Sequence, residues 1–152
     1  MYLSDNIMLT TESYHGITLQ NGYNVKNFSF MQDFCFDCDK DDNIYVIVGS
    51  KTFTEEENTQ IYIYSPDLEN IGAFSIQKLC CPVTIRIQED NMVVMCSKLQ
   101  PHWSKILRYS LSTKELLQTV KFNSAFFQIT SRLFLCFDPL DNLIIGCDKP
   151  GD

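Results

Sequence analysis

The residues able to do chemistry are few and loosely spaced. Cys35-x-x-Cys38 together with Cys80-Cys81 has the composition of a zinc site, which needs four thiolates or imidazoles converging in a tetrahedron. On an extended strand, residues three apart point to opposite faces, so Cys35 and Cys38 converge only if the strand ends between them. Core or turn thiols are the expectation, with no bound metal. Asp37-x-Asp39-x-Asp41 opens like a calcium loop. Such a loop needs Gly at its sixth position and Glu at its twelfth, where this chain has Asp42 and Val48. A solvated hairpin turn is the expected role of these carboxylates. His15 and His102 are the two histidines. The six glycines form no nucleophile elbow, phosphate loop or dinucleotide fingerprint. The sequence therefore offers no catalytic residue, no cofactor site and no metal site, and the expectation is a protein that is not an enzyme.

The elements around these residues read as short strands. Phe34-Cys35-Phe36-Asp37, Ile44-Tyr45-Val46-Ile47-Val48, Gln60-Ile61-Tyr62-Ile63-Tyr64 and Ile71-Gly72-Ala73-Phe74 are rich in β-branched and aromatic residues and separated by turn chemistry. The pattern recurs. Taking Met1, Ile44, Met92 and Leu143 as starts of equivalent second strands gives spacings of 43, 48 and 51 residues. Asp42-Asn43, Asp90-Asn91 and Asp141-Asn142 precede the last three, and both residue types suit a tight turn. Third strands are expected at Gly16–Leu19, Ile61–Tyr64 and Ile106–Tyr109, and fourth strands at Val25–Phe28, Ile71–Phe74 and Leu116–Val120. First strands are expected at Phe34–Asp37, Val83–Ile87 and Leu133–Asp138. Helical propensity competes over Lys114–Val120, but the repeat register favours strand.

The expected architecture is all-β: a β-propeller of four-stranded antiparallel blades, about three of them present, in repeats at about 1–33, 34–80, 81–130 and a partial 131–152. In this register the chain opens on a second strand. Three blades do not close a ring, so the chain is expected to be part of a longer propeller, with self-assembly to complete the ring as the alternative.

Bulk properties narrow the partners. Hydrophobic residues make up 45% and charged residues 20% of the chain, which is globular composition. The net charge of −7 disfavours nucleic acid and anionic membranes. No apolar run reaches membrane-span length and Asp5 interrupts the N-terminus, so neither a span nor a leader is expected. Seven cysteines, an odd number set among apolar neighbours, suit buried thiols in a reducing compartment, so the expectation is cytoplasmic.

Phe36-Asp37 with Asp42-Asn43-Ile44-Tyr45-Val46, and Phe137-Asp138 with Asp141-Asn142-Leu143-Ile144-Ile145, resemble the NHL repeat. His15-Gly16-Ile17-Thr18-Leu19 with Asn21-Gly22 resembles its second half. The resemblance spans nearly the whole chain and points to the propeller that ends the tripartite-motif ligases. It implies a six-bladed ring used as a docking platform for a protein or an RNA. The expected function is a non-enzymatic protein-interaction scaffold, as in the substrate-docking part of a ubiquitin ligase. The alternatives are an RNA-binding propeller and a metal-dependent enzyme resembling the propeller lactonases, for which Asp5 and Asp148 would be candidate ligands. The repeat at Val83–Ile87 departs from the motif by carrying Arg86 where the others carry Asp.

Loop lengths suggest where a partner would dock. The loops Asn6–His15, Lys51–Gln60 and Lys98–Lys105, with the blade crossings, would share one face, and long loops on a rigid scaffold carry binding. That face would present Phe53, Glu55, Glu56, Glu57, His102, Trp103, Phe126 and Phe127 as partner-binding residues.

Overall fold

The computed structural model of the chain describes residues 2–4, 7–13, 16–21, 24–29, 34–48, 59–76, 82–98, 103–123, 133–140 and 142–147. Among them every regular element is a strand, and every pairing is antiparallel. No helix among the described residues is long and apolar enough to cross a membrane.

The first sheet runs β1 (Tyr2–Ser4), β2 (Ile7–Ser13), β3 (Gly16–Asn21) and β4 (Asn24–Ser29), in that spatial order. The second is β5 (Phe34–Cys38), β6 (Ile44–Val48), β7 (Thr59–Tyr64) and β8 (Asn70–Ile76). The third is β9 (Pro82–Gln88), β10 (Asn91–Lys98), β11 (Trp103–Ser110) and β12 (Leu116–Asn123). A hairpin of β13 (Leu133–Phe137) and β14 (Leu143–Cys147) follows. Each sheet is thus a meander of sequence neighbours, the arrangement short turns permit. Leu116–Val120 is strand, as the repeat register required: pairing with β11 overrides local helical propensity.

The first unit corrects the sequence reading. Tyr2–Ser4 is a first strand, not a second, and Ile7–Ser13, expected within a long loop, is the second strand. The reason was present in the chain: Asp5-Asn6 is a fourth Asp-Asn dipeptide, and Ile7-Met8-Leu9 follows it as Ile44-Tyr45-Val46 follows Asp42-Asn43. The described chain therefore begins in phase, with three full four-stranded sheets and one hairpin.

Burial follows position in the sheet. On β10, Met92, Val94 and Cys96 enter one core and Val93 and Met95 another, so Met92–Cys96 is a continuous apolar run buried on both faces. The first core joins the second and third sheets through Tyr45, Ile47, Ile61, Ile85 and Leu107. The second joins the third sheet to the hairpin through Ile106, Leu135, Phe137 and Leu143. Each fully buried side chain of this size contributes roughly 1.5–3 kcal/mol over an exposed one. The outer strand β12 is exposed along Leu116–Lys121. The first strands of three successive sheets sit side by side, β9 packing against β5 and against β13.

Candidate functional site

Most of the residues expected to bind a partner, Phe53, Glu55, Glu56, Glu57, His102, Phe126 and Phe127, lie outside the described residues. So do His15, Asp5 and Asp148. Trp103 is not in a loop: it opens β11, in register with Lys98 on β10 and Asn123 on β12. The β10–β11 connection is accordingly shorter than the sequence suggested. Asn6–His15 drops out as a docking loop because most of it is β2.

Among the described residues, the longest-range polar constellation is the seam between β5, β9 and β13. Asp37, on β5, is 8% exposed. Its Oδ2 accepts the main-chain N–H of Ile87 on β9 at 2.8 Å, and the Arg86 guanidinium stands 3.9 Å away. Arg86 turns its Nε to the carbonyl of Leu135 on β13 at 2.8 Å, and its Nη1 donates to the Ile85 carbonyl at 3.2 Å. Two side chains thereby link three sheets. Burial pushes the Asp37 carboxyl above its ordinary range, while the Ile87 N–H and Arg86 pull it back. Arg86 is the register equivalent of Asp37, since Ile87 pairs with Met92 as Cys38 pairs with Ile44. The cation at the position equivalent to Asp37 is thus the one that meets Asp37 across the boundary.

The other carboxylates close turns. Asp39 Oδ1 accepts the N–H of Asp41 and of Asn43, both at 2.9 Å, and Oδ2 accepts Asn43 Nδ2 at 2.9 Å. The Tyr45 hydroxyl donates to the same Oδ2 at 3.3 Å. Asp138 repeats this arrangement with Leu140 and Asn142 at 2.8 Å. Asp138 is therefore the counterpart of Asp39, not of Asp37 as the sequence alignment had it; Cys136 occupies the Asp37 position. Asp90 binds across to the next turn, taking the Ser110 hydroxyl and the Ser112 N–H at 2.7 Å each. Those bonds hold the Asp90 carboxyl below its usual range, the Ser110 hydroxyl foremost, and the Asn142 side chain does the same for Asp138.

Asp37 and Asp39 therefore serve different partners, one the neighbouring strand and one its own turn. Cys35 and Cys38 are pushed up to about 12, chiefly by burial, with Asp37, Asp42 and Asp39 adding to the effect at Cys38. Thiols so held are poor nucleophiles, and Cys80 and Cys81, the other half of the zinc-like set, lie outside the described residues. No group of three His, Cys, Asp or Glu converges among the described residues.

A cleft of 290 Å³ opens between the outer strands of the third sheet and the hairpin. Val93, Ile106 and Val120 form its floor, Phe137 and Leu143 its roof. Sequence reasoning missed it because its lining comes from strands β10 to β14, brought together only when the third sheet and the hairpin pack. No known family model matches the chain, and no curated protein resembles it significantly.

Proposed function

We propose that the three four-stranded sheets and the hairpin are consecutive blades of an NHL-like β-propeller, and that this propeller is a non-enzymatic scaffold for a protein partner in the cytoplasm. The carrying observation is the seam: β5, β9 and β13 stand in succession, each the first strand of its meander, tied by the Asp37–Ile87 and Arg86–Leu135 bonds. First strands gathered in succession, with later strands running outward, are the relation of blades around an axis. A binding role fits the way the described polar groups are spent. Asp37, Asp39, Asp90, Asp138 and Arg86 all hydrogen-bond the protein's own main chain, which builds a rigid frame for loops to act from. A protein rather than an RNA partner follows from the net charge of −7. Docking substrates for a ubiquitin ligase is the setting in which such a scaffold would work.

The test is affinity capture with quantitative mass spectrometry, comparing the wild type with Trp103→Ala and with a Glu55, Glu56 and Glu57 to Lys triple variant. The expected result is a reproducible set of proteins, insensitive to ribonuclease, reduced about 30-fold or more by Trp103→Ala, the scale of an interface hot spot. Recovery of RNA whose binding falls steeply with salt would overturn the reading, as would loss of fold in Trp103→Ala.

A further inference from the structure

The turn between β11 and β12 sends a cation onto the second sheet. Lys114 Nζ stands 4.8 Å from the centroid of the Phe74 ring on β8 and 5.9 Å from that of Tyr45 on β6. At these distances the negative face of a ring attracts an ammonium group. Register puts the two rings on one face of the sheet. Tyr45 is opposite Ile63, Ile63 is opposite Gly72, and Phe74 lies two residues beyond Gly72 on the same strand. Both rings also pack on the core shared with the third sheet, which fixes their orientation. Gly72 leaves room beside them, since a Cβ built on it would meet nothing within 4 Å. Asp39 accepts the Tyr45 hydroxyl at 3.3 Å, which pushes electron density into that ring.

The cation is an exception at its turn position. The β7–β8 turn ends in the same way: Ser65 donates its N–H to the Glu69 carbonyl as Ser110 does to that of Glu115. Leu68 there has φ of 65°, as Lys114 has 63°. Leu68 is fully buried, whereas Lys114 is exposed. A side chain that reaches over two rings from an exposed turn can swing away without opening the core beneath them.

We infer that the Tyr45–Phe74 ring pair, with the open space at Gly72, is a binding site for a trimethylammonium group, and that Lys114 occupies it until such a ligand displaces it. A free primary ammonium offers the same chemistry as Lys114 without its tether, so it loses the competition to the intramolecular group. A trimethylammonium group keeps the charge, gives up less hydration, and brings methyl groups for the rings and for the space at Gly72. The net charge of −7 favours the approach of a cation. The shared chemistry is the trimethylammonium group itself, carried by a free molecule or by a trimethyllysine side chain.

The test is a nuclear magnetic resonance titration of the full chain, labelled at its phenylalanine and tyrosine rings. The probes are choline and a short peptide containing one trimethyllysine. The controls are the uncharged carbon isostere of choline and the same peptide with unmodified lysine. Saturable shifts at the Phe74 and Tyr45 rings are expected with the trimethylammonium probes alone. Lys114→Gly removes the competitor and suits the positive φ, so it should tighten binding about fivefold or more. Phe74→Leu and Gly72→Val, each checked for fold by circular dichroism, should weaken it about tenfold or more. Should Phe74→Leu fail to fold, Gly72→Val, which only fills open space, carries the test. A peptide bound markedly tighter than choline assigns the group to a partner polypeptide, and equal affinities assign it to a free molecule. No saturable shift in Lys114→Gly, an equal response to the uncharged isostere, or unchanged affinity in Gly72→Val would each overturn the inference.

Discussion

Replacing Asp37 with alanine removes the acceptor of a main-chain N–H at an inter-sheet boundary and leaves Arg86 beside an apolar methyl group. The Ile87 N–H, bonded to Asp37 at 2.8 Å, loses that partner, and a buried donor so treated costs about 1–3 kcal/mol. The Arg86 contribution is small, because the ion pair is 3.9 Å long and the Arg86 side chain 40% exposed. Asp37→Ala should therefore destabilise by about 2 kcal/mol. With a denaturant slope of about 2 kcal/mol per molar urea, the midpoint falls by about 1 M. Asp37→Asn keeps an oxygen for Ile87 and removes the penalty of burying a charge, so it should stay within about 1 kcal/mol of wild type. The pH dependence has a definite sign. Burial raises the folded-state Asp37 carboxyl above its unfolded value, so the folded state binds the proton more tightly. This contribution is fully present below the unfolded carboxyl range and is lost as pH rises through the folded one. The stability of wild type relative to Asp37→Asn should accordingly increase as pH falls from 7 towards 4. Urea melts monitored by circular dichroism at both pH values measure it. An Asp37→Ala midpoint equal to wild type, or a difference from Asp37→Asn that moves the opposite way with pH, would refute the seam as the link between sheets.

Asp138 carries the opposite sign: its carboxyl is held low by Asn142, so its contribution is present above the unfolded carboxyl range and is lost as pH falls through the folded value. Asp138→Asn should flatten the acid limb of a pH–stability profile, and an unchanged limb would count against the turn as drawn. In the core, Leu107→Ala should cost about 2–5 kcal/mol in a urea melt, whereas Leu117→Ala, at a residue 55% exposed, should stay within about 0.5 kcal/mol. Glu89 has φ of 51° in the two-residue turn joining β9 and β10, so Glu89→Gly should raise stability by about 1 kcal/mol in the same melt. Alkylation followed by mass spectrometry should modify the exposed Cys136 well before the half-buried Cys35, whose thiol is pushed up to about 12; equal rates would contradict that placement of Cys35.

What the sequence by itself determined is the local structure. The hydrophobic runs and Asp-Asn dipeptides mark strands and turns because both signals act within a few residues. Asp39 closes its own turn with Asn43, and Asp138 does so with Asn142, each four positions on. The misplaced first unit came from anchoring the register on Met1 instead of on Asp5-Asn6, although the deciding signal was equally local. What only the tertiary structure decided is the use of residues whose partners are remote. Asp37 and Asp39 look alike in the chain, but Asp37 reaches Ile87 fifty positions away, and Arg86 reaches Leu135 across forty-nine. The cleft is of the same kind, since its floor is β10, β11 and β12 and its roof is β13 and β14. No spacing rule announces such pairs, because chain separation between sheets is set by connections of unequal length. The energy that selects them, burial of apolar faces and satisfaction of buried polar groups, acts only once the sheets have been brought together.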